Sequence, residues 1–455
     1  MKFLLLVKKN LSFLSILFII YLVGDRHLQY EQWNKPDKVI KNDVISYYAY
    51  LPALFIEQDI KLSFIDPEVN RYGDLYWPEK GPNNSNVIKT SAGLSLLYLP
   101  FFLLADFYVD TFLEYQPRGN EPPYKVALLV SGLFYLILGL LLTRKLLLLY
   151  YRELETAAVL LVLGLGTNLW YYSIEESTMA HTYSFALIAG YAYLVFSRKL
   201  ETKNFLLHGL LIGLISLVRP TNLLVFILFA LFDVSSIQSF KERILSLLKP
   251  KYMLWFILGF LSVWLIQFVY WKEVTGSWLY FSYTGERFFF LEPELWRGFF
   301  GFRKGWFVYT PLMFLVVPGF YWLYKENQQL KWNLLVFFAL ASYVMFSWWA
   351  WWYGGGFGMR PMVDYYAIWA IPIAALLTKI IQSRKWIPIA VLGLVLYGGI
   401  WFNRYQTQQY RWQIIHYDGM NYEAYKHAWM RNEYDAKLLD IIERPDYELA
   451  KRQRE

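Results

Sequence analysis

Ionisable side chains that could act on a substrate recur in the loops between long apolar runs of this sequence. Asp43 is a lone carboxylate that opens an aromatic segment, and such a group can serve as a general base. Positive charge suited to an anion occurs at four separate positions, Lys89, Arg219, Arg303 and Arg360. Further hydrogen-bonding groups are supplied by Glu176, His181, Tyr47 and Tyr48. These residue types together predict a site that accepts a proton and neutralises an anion.

The assignments of Asp43 and Arg219 each have a structural alternative. Asp43 could simply cap the helix that it begins, because aspartate is frequent at helix N-caps. Arg219 precedes a proline between two short apolar runs, where it has little access to bulk water, and it could pair there with a carboxylate such as Glu176. Asp25 is a rival base, although its place at the end of the first apolar run equally suits an interface anchor.

Two glycine-flanked basic segments are further candidates for binding an anion. Arg303 and Lys304 lie between two glycines, which would let the backbone approach an anion closely, or they form an ordinary solvated loop. Arg360 follows a glycine-rich stretch at 354–358. The strand-to-helix context of a nucleotide-binding loop is missing, which argues against ATP.

A histidine with two acids, and a run of tryptophans, each allow two interpretations. His181 with Glu175 and Glu176 could form a metal cluster, but hydrogen bonding to a substrate, or a simple helix entry, suits so small a set better. The run at 348–353 is most simply an aromatic belt at the membrane interface, and alternatively a platform for a sugar or a lipid.

Composition indicates that membrane helices position these residues. Of 455 residues, 57% are hydrophobic and 18% are charged, whereas soluble domains have about 45–50% and about a quarter. The absence of cysteine excludes disulfides and thiolate chemistry. Apolar stretches long enough to span a bilayer occur at 11–23, 124–143, 156–173, 179–197, 205–218, 220–234, 252–270, 306–323, 332–350, 363–382 and 386–403. The sequence therefore predicts an all-α polytopic membrane protein with about eleven transmembrane helices.

The distribution of charge predicts which side of the membrane each loop occupies. With these spans, the loops on the side of the N-terminus contain about 17 basic and about 6 acidic residues, which is the positive-inside pattern. The net charge of +8 follows from this pattern, so nucleic acid is not an expected partner. We predict a cytoplasmic N-terminus with an uncleaved first span, and an extracytoplasmic C-terminus. The candidate residues then share the extracytoplasmic face.

The number of spans decides where one further apolar run lies, and it is predicted to be outside the bilayer core. Counting 91–109 as a span would send every later basic loop outside, so the segment 91–110 is predicted to lie at the outer interface. The segment 43–58 reads as a second interfacial helix in the same first outer loop, 24–123. Residues 124–403 then form the transmembrane core, and 404–455 form a small ordered extracytoplasmic cap.

The motif Asp43-x-x-x-Tyr47-Tyr48 in a long loop after the first span resembles the GT-C glycosyltransferases, above all protein O-mannosyltransferases and aminoarabinose transferases. Further stretches fit this resemblance: Lys89-x-x-x-Gly93 with Tyr98-Leu99-Pro100, residues 170–181, residues 217–222, residues 300–311 and residues 351–360. The likeness covers most of the first 405 residues. One departure is Val44, which follows Asp43 where many relatives have a second acid.

The resemblance implies a GT-C-like fold and transfer of a hexosyl or pentosyl group from a polyprenyl-phosphate donor. The acceptor would be a glycan, lipid or protein at the extracytoplasmic face of a bacterial plasma membrane. Asp43 would be the base of an inverting displacement, Lys89, Arg219, Arg303 and Arg360 would bind the lipid phosphate, and Glu176, His181, Tyr47 and Tyr48 would contact substrate. No cofactor is implied with certainty, and a divalent metal stays open. The alternatives are a surface-polysaccharide polymerase or ligase, and a transporter or flippase of lipid-linked anions.

Overall fold

The computed structural model of the protein describes residues 9–65, 75–198, 204–326 and 328–453. Within these ranges the chain is mostly helical, and its one sheet is a two-stranded antiparallel ribbon, β1 (Glu79–Lys80) with β2 (Asn86–Val87). Lys2, Lys8, Lys199 and Lys203, which contributed to the predicted cytoplasmic charge, lie outside the described residues. The all-α class of the fold is confirmed for the described part of the chain.

The helices follow one another along the whole described chain. In the first half they are α1 (Leu11–Tyr30), α2 (Asp43–Tyr48), α3 (Tyr50–Phe55), α4 (Gly93–Phe112), α5 (Pro122–Leu147), α6 (Glu153–Gly166), α7 (Leu169–Ile174), α8 (Ala180–Phe196) and α9 (Phe205–Val218). In the second half they are α10 (Phe226–Ala230), α11 (Ile237–Leu247), α12 (Pro250–Thr275), α13 (Leu295–Phe300), α14 (Trp306–Tyr309), α15 (Val316–Glu326), α16 (Gln328–Ser347), α17 (Tyr366–Gln382), α18 (Trp386–Arg411), α19 (Tyr422–Ala428), α20 (Leu438–Ile441) and α21 (Tyr447–Arg452). Short 3-10 turns occupy Gln32–Asn34, Pro82–Asn84, Pro220–Val225, Pro311–Leu315 and Arg360–Tyr365.

Seven of the described helical segments are long and apolar enough to cross a membrane. Six coincide with predicted spans, namely Leu11–Asn34, Pro122–Leu147, Pro250–Thr275, Leu330–Ser347, Arg360–Gln382 and Trp386–Arg411. The seventh is Gly93–Phe112, which the sequence placed at the interface. The fold is that of an all-α membrane protein, while the number of eleven spans is not confirmed. The orientation of the chain and the interfacial position of Gly93–Phe112 stay predictions.

The other predicted spans are short helices or are interrupted. The break at Arg219-Pro220 is confirmed, because α9 ends at Val218 and Arg219 is extended, with φ −148° and ψ 114°. Two more breaks were not predicted. One lies at Thr167, which is extended with φ −133° and ψ 170°, and the other lies at Thr310, with φ −137° and ψ 65°. At these three residues the backbone leaves the helical conformation within segments that are otherwise apolar.

The segment 43–58, predicted as one interfacial helix, contains the two short helices α2 and α3, and its position at the interface stays a prediction. Tyr48 of α2 is buried in a hydrophobic cluster that also includes Tyr98 of α4. Asp43 and Tyr47 lie one helical turn apart and keep a partly exposed face. Packing of α2 against α4 therefore fixes the direction in which Asp43 projects.

The C-terminal segment covers residues that the sequence assigned to the membrane interface. Helix α18 continues past residue 403 to Arg411, and α19 to α21 follow it. Trp351 and Trp352 are 4% and 1% exposed, and the ring of Tyr447 in α21 lies 5.8 Å from that of Trp352. The prediction of an aromatic belt was wrong for these two residues, because both are buried inside the protein, and Tyr447 of the C-terminal segment packs on Trp352.

Candidate functional site

A cavity of about 560 Å³ lies between the first loop and the last third of the chain. Most of its lining comes from the segment that leads into α2, the end of α7 with the loop 175–179, the glycine-rich loop 354–356 with Arg360, and the pair Tyr410 and Tyr417. Single residues are added by Gln32, Trp77 and Leu129. Asp43, Glu176 and Arg360 are the sequence-predicted site residues in this lining. The structure thus brings one predicted base and one predicted phosphate ligand into a common space.

Asp43 forms an ion pair with Arg360 in this cavity. The distance from Asp43 Oδ2 to Arg360 Nη1 is 2.9 Å, and the aspartate side chain keeps 42% of its surface exposed. The residue before the first turn of α2 is Asn42, so Asp43 is the first helical residue and not the N-cap. The capping alternative is therefore replaced by an ion pair with a residue far along the chain.

The surroundings of Asp43 keep it ionised. Burial alone would raise the pKa of its carboxyl, but the charge and hydrogen bond of Arg360, with smaller contributions from His181 and Arg219, lower that pKa below 3.8. A carboxylate held in this way is a weaker base than a free one. Its basicity increases when Arg360 is drawn to another anion, such as a phosphate.

The glycine-rich loop that precedes Arg360 is held in place by hydrogen bonds and is not a loose tether. Gly356 has φ 135°, and a Cβ there would lie 2.7 Å from the hydroxyl of Tyr172. The Gly356 N–H donates to the hydroxyl of Tyr410 at 2.9 Å, and the Phe357 N–H donates to that of Tyr172 at 3.1 Å. The glycines serve close packing against tyrosines, which sets the position of the Arg360 backbone.

Lys304 ties this loop to the C-terminal segment. The lysine is 2% exposed, and its Nζ donates to the carbonyls of Gly356 and Tyr417. Burial lowers the pKa of Lys304 from 10.5 to about 7, although the charge of Asp418 acts in the opposite direction. The solvated-loop alternative is wrong for Lys304, which is a positioning residue for the wall of the cavity.

The buried amine of Lys304 predicts that stability increases above neutral pH. Between its folded pKa of about 7 and its ordinary value of 10.5, the unfolded chain holds more protons than the folded one. The free energy of unfolding is therefore expected to rise by about 2 kcal/mol from about pH 7 to about pH 9 through this group. Lys304→Met should remove the increment, measured by thermal unfolding at both pH values. Equal pH dependence of wild type and variant contradicts the prediction, and exposed Lys385→Met is the control.

A buried polar network lies next to the ion pair. Asp364 is 0% exposed; it contacts Nδ1 of His181 at 2.8 Å and accepts from Arg219 Nη1 at 3.0 Å. Asn222 donates to the same carboxylate at 3.0 Å and accepts from the Tyr365 hydroxyl at 2.8 Å. Arg219 therefore pairs with Asp364 and not with Glu176, which lies 3.4 Å from Lys41.

The histidine in this network is shared between two neighbours. His181 Nδ1 lies 3.2 Å from Arg219 Nη1 as well as close to Asp364. A ring nitrogen donates or accepts according to its tautomer, so Nδ1 satisfies only one of these neighbours at a time. Its ring also lies 4.7 Å from that of Tyr172, which contacts the glycine-rich loop. His181 thus connects the buried network to the wall of the cavity.

The segment that begins α4 holds the Arg219 break in place. The Ser91 hydroxyl donates to the carbonyl of Leu217 at 2.6 Å. A Cβ at Gly93 would clash with the same backbone, at Leu217 and Val218. The lysine-containing segment and the arginine break, which the sequence treated as separate motifs, therefore pack directly against each other.

Tyr47 and Lys89 lie outside the lining of the cavity. Burial, reinforced by the charge of Asp43, raises the pKa of Tyr47 to about 12, so its phenol is a hydrogen-bond donor at neutral pH. Lys89 Nζ lies 2.6 Å from Glu286 and 3.5 Å from Glu79. It also lies 5.4 Å from the centre of the Tyr283 ring. Lys89 is thus paired with two acids and is not part of the cavity wall.

Two other predicted residues face away from the cavity. Tyr48 is fully buried, and its hydroxyl donates to the carbonyl of Gly119 at 2.7 Å. Arg303 donates to the carbonyl of Glu443 at 3.2 Å and lies 5.0 Å above the ring of Trp352. Tyr48 serves packing, and Arg303 contacts the C-terminal segment.

The described residues contain no group of three or more histidines and acids that could hold a metal ion. His181 contacts Asp364, while Glu175 contacts Arg411, so the suggested His181 cluster does not form. Sequence reasoning left Asp364 without a role, and its spacing of four residues from Arg360 was the available signal. Lys304 was predicted together with Arg303 as part of a glycine-flanked anion site, and its burial as a support of the cavity wall was not expected. Tyr410 carried no signal of a place at the cavity beyond its residue type.

Comparison with known proteins adds no family assignment. No protein-family model matches this sequence, and no similar curated protein is found. The resemblance to GT-C enzymes therefore depends on the sequence motifs alone.

Proposed function

We propose that the protein is a GT-C-like membrane glycosyltransferase. It takes a sugar from a polyprenyl-phosphate donor and transfers it to an acceptor hydroxyl at the extracytoplasmic face of a bacterial plasma membrane. The observation that carries the proposal is the Asp43–Arg360 pair, which places a carboxylate and a guanidinium 2.9 Å apart in one cavity. A proton acceptor and an anion-binding group are the two elements that this transfer requires.

In the proposed reaction the acceptor oxygen attacks the anomeric carbon of the sugar on the face opposite the phosphate. The bond from the anomeric carbon to the phosphate oxygen breaks, and its electron pair leaves with the polyprenyl phosphate. The acceptor proton passes to Asp43. The configuration at the anomeric carbon is inverted, and no covalent enzyme intermediate is formed.

The resting ion pair supports an ordered activation of the base. A guanidinium carries five N–H donors, and the Asp43 contact uses Nη1. A donor phosphate bound to Arg360 would share the charge that now lowers the pKa of Asp43. Binding of the donor would therefore make the carboxylate more basic when its proton acceptor role is needed.

The volume of the cavity also supports a sugar phosphate as its occupant. About 560 Å³ lies within the usual range of about 300–1,000 Å³ for small-molecule sites. Tyr171, Tyr410 and Tyr417 add aromatic rings to the lining, and such rings pack well against sugar faces. Glu176 adds a carboxylate that can hydrogen-bond sugar hydroxyls.

A reconstituted assay tests the transfer reaction. The full chain is placed in liposomes with radiolabelled polyprenyl-phosphate hexoses and pentoses, and a cell-envelope extract supplies acceptors. We expect one donor to release polyprenyl phosphate while its label enters an acceptor. Movement of an intact donor between leaflets without bond cleavage would instead identify a transporter. Joining of preformed lipid-linked glycan chains would identify a polymerase or ligase.

A further inference from the structure

A second cavity lies beside the first, and the proposed transfer does not use its charges. It has a volume of about 370 Å³ and lies between the C-terminal end of α1 and the last turns of α18. Its lining contains three arginines, Arg26, Arg404 and Arg411, and one carboxylate, Glu175. Like charges in one cavity repel one another, and an anion that shares the space would lower their energy.

Two of the three arginines have no acidic partner within the described residues. Arg411 Nε lies 3.2 Å from Glu175 Oε1, which uses the one carboxylate. Arg26 donates to the side-chain oxygen of Gln29 at 2.6 Å, a neutral acceptor. Arg404 lies 4.9 Å above the ring of Trp170 and within electrostatic range of Arg26. Arg26 and Arg404 thus present positive charge to the cavity without a described ion pair of their own, and Asp25 contacts the same Gln29 from outside the lining.

The rim of this cavity has the character of a membrane interface. Tyr397 and Trp401 of α18 are 73% and 47% exposed, and the ring of Trp401 stacks on that of Tyr405 at 5.4 Å. Exposed aromatic rings on an apolar helix typically lie at the level of lipid headgroups. An anion that enters beside α18 can therefore carry acyl chains into the membrane.

We propose that this second cavity binds the phosphate group of an anionic membrane phospholipid, with the acyl chains along α18. Guanidinium groups match phosphate oxygens in a fork of parallel hydrogen bonds, which makes arginine better suited than lysine to this role. Glu175 lines both cavities, so the bound phosphate lies next to the wall of the candidate active site. Binding of the lipid does not require that the protein transfer a sugar.

Lipid-dependent thermal unfolding of the full chain in detergent tests the proposal. Phosphatidylglycerol is titrated against wild type and against the double variant Arg26→Gln/Arg404→Gln. We expect the double variant to bind the lipid at least about tenfold more weakly, because it loses charge-assisted hydrogen bonds to the phosphate. Arg384→Gln removes an exposed arginine outside the cavity and should bind as wild type does.

Three outcomes would overturn the lipid site. They are equal affinity of wild type and double variant, an equal increase of the unfolding midpoint with zwitterionic phosphatidylcholine, and an equal increase with inorganic phosphate alone. A photoactivatable phosphatidylglycerol gives a readout that needs no variant. Its labels on the wild-type protein should fall on residues 397–405, and labelling spread evenly over the apolar helices would contradict the site.

Discussion

Asp43→Asn is expected to reduce sugar transfer by about 10²–10⁴-fold, which is the usual contribution of a positioned general base. The amide keeps the size of the side chain and loses its basicity. Arg360 loses its only described carboxylate partner, so a donor phosphate should bind at least as well as before. The measurement is a kinetic one on the reconstituted enzyme, with a lower kcat and an unchanged or lower KM for the donor.

Asp25→Asn is the matched control for this experiment. Asp25 was the rival base, and its carboxylate accepts from Gln29 at 2.8 Å on an exposed part of α1, outside the lining of both cavities. Its variant should retain near wild-type kcat. If Asp43→Asn transfers sugar at the wild-type rate while Asp25→Asn does not, the base is misassigned. A change confined to KM for the donor would make Asp43 a binding residue.

The sequence predicted best those features that depend on local chemistry. Pro220 cannot continue a helix, so the break beside Arg219 was readable from one residue. The start of α2 at Asp43 followed from an acid before an aromatic, apolar run. Breaks at Thr167 and Thr310 were missed, because the long apolar runs around them outweighed the local signals of Gly166 and Asn168 at the first and Pro311 at the second.

Ion pairs between residues far apart in the sequence could not be predicted from local patterns. Arg219 and Asp364 are separated by 145 residues, and Asp43 is still farther from Arg360. Nothing in either segment specifies the other, since each charge has several possible partners. From the sequence, all of these residues were predicted to share one face of the membrane protein. It did not show that Asp43 and Arg360 form an ion pair in the cavity while Arg219 and Asp364 belong to a buried network.

Burial by the C-terminal segment was likewise invisible to composition. A tryptophan run at the end of a span usually indicates the interface, but here Tyr447 packs on Trp352 from nearly the end of the chain. Lys304 illustrates the same limit, because a lysine between glycines is normally solvated. Its burial depends on Gly356 and Tyr417 coming together around it.

The buried network explains how Arg360 is held in a fixed position at the cavity. Arg219 is the extended residue that follows α9, and Asp364 lies in the 3-10 turn that begins at Arg360. The Arg219–Asp364 contact thus joins two helix breaks, and it fixes the turn from which Arg360 reaches Asp43. Asp364 is a positioning residue in this account and is not among the residues that line the cavity.

Asp364→Asn is accordingly expected to destabilise the fold. The substitution leaves Arg219 without its carboxylate in a buried site, and breaking a buried ion pair from one side typically costs about 3–5 kcal/mol. Unfolding by denaturant in mixed micelles should show the loss in the free energy of unfolding. Glu448→Gln, which removes an exposed partner of Lys451, should change stability very little.

A double-mutant cycle separates loss of charge balance from loss of shape. Arg219→Met combined with Asp364→Asn removes both charges, so the double variant should be more stable than the sum of the single effects indicates. Additive effects would mean that the two charges are not coupled. The double variant should still transfer sugar more slowly than wild type, because the turn that orients Arg360 has lost its anchor. If that variant kept the wild-type kcat, Asp364 would contribute to folding only and would not position Arg360.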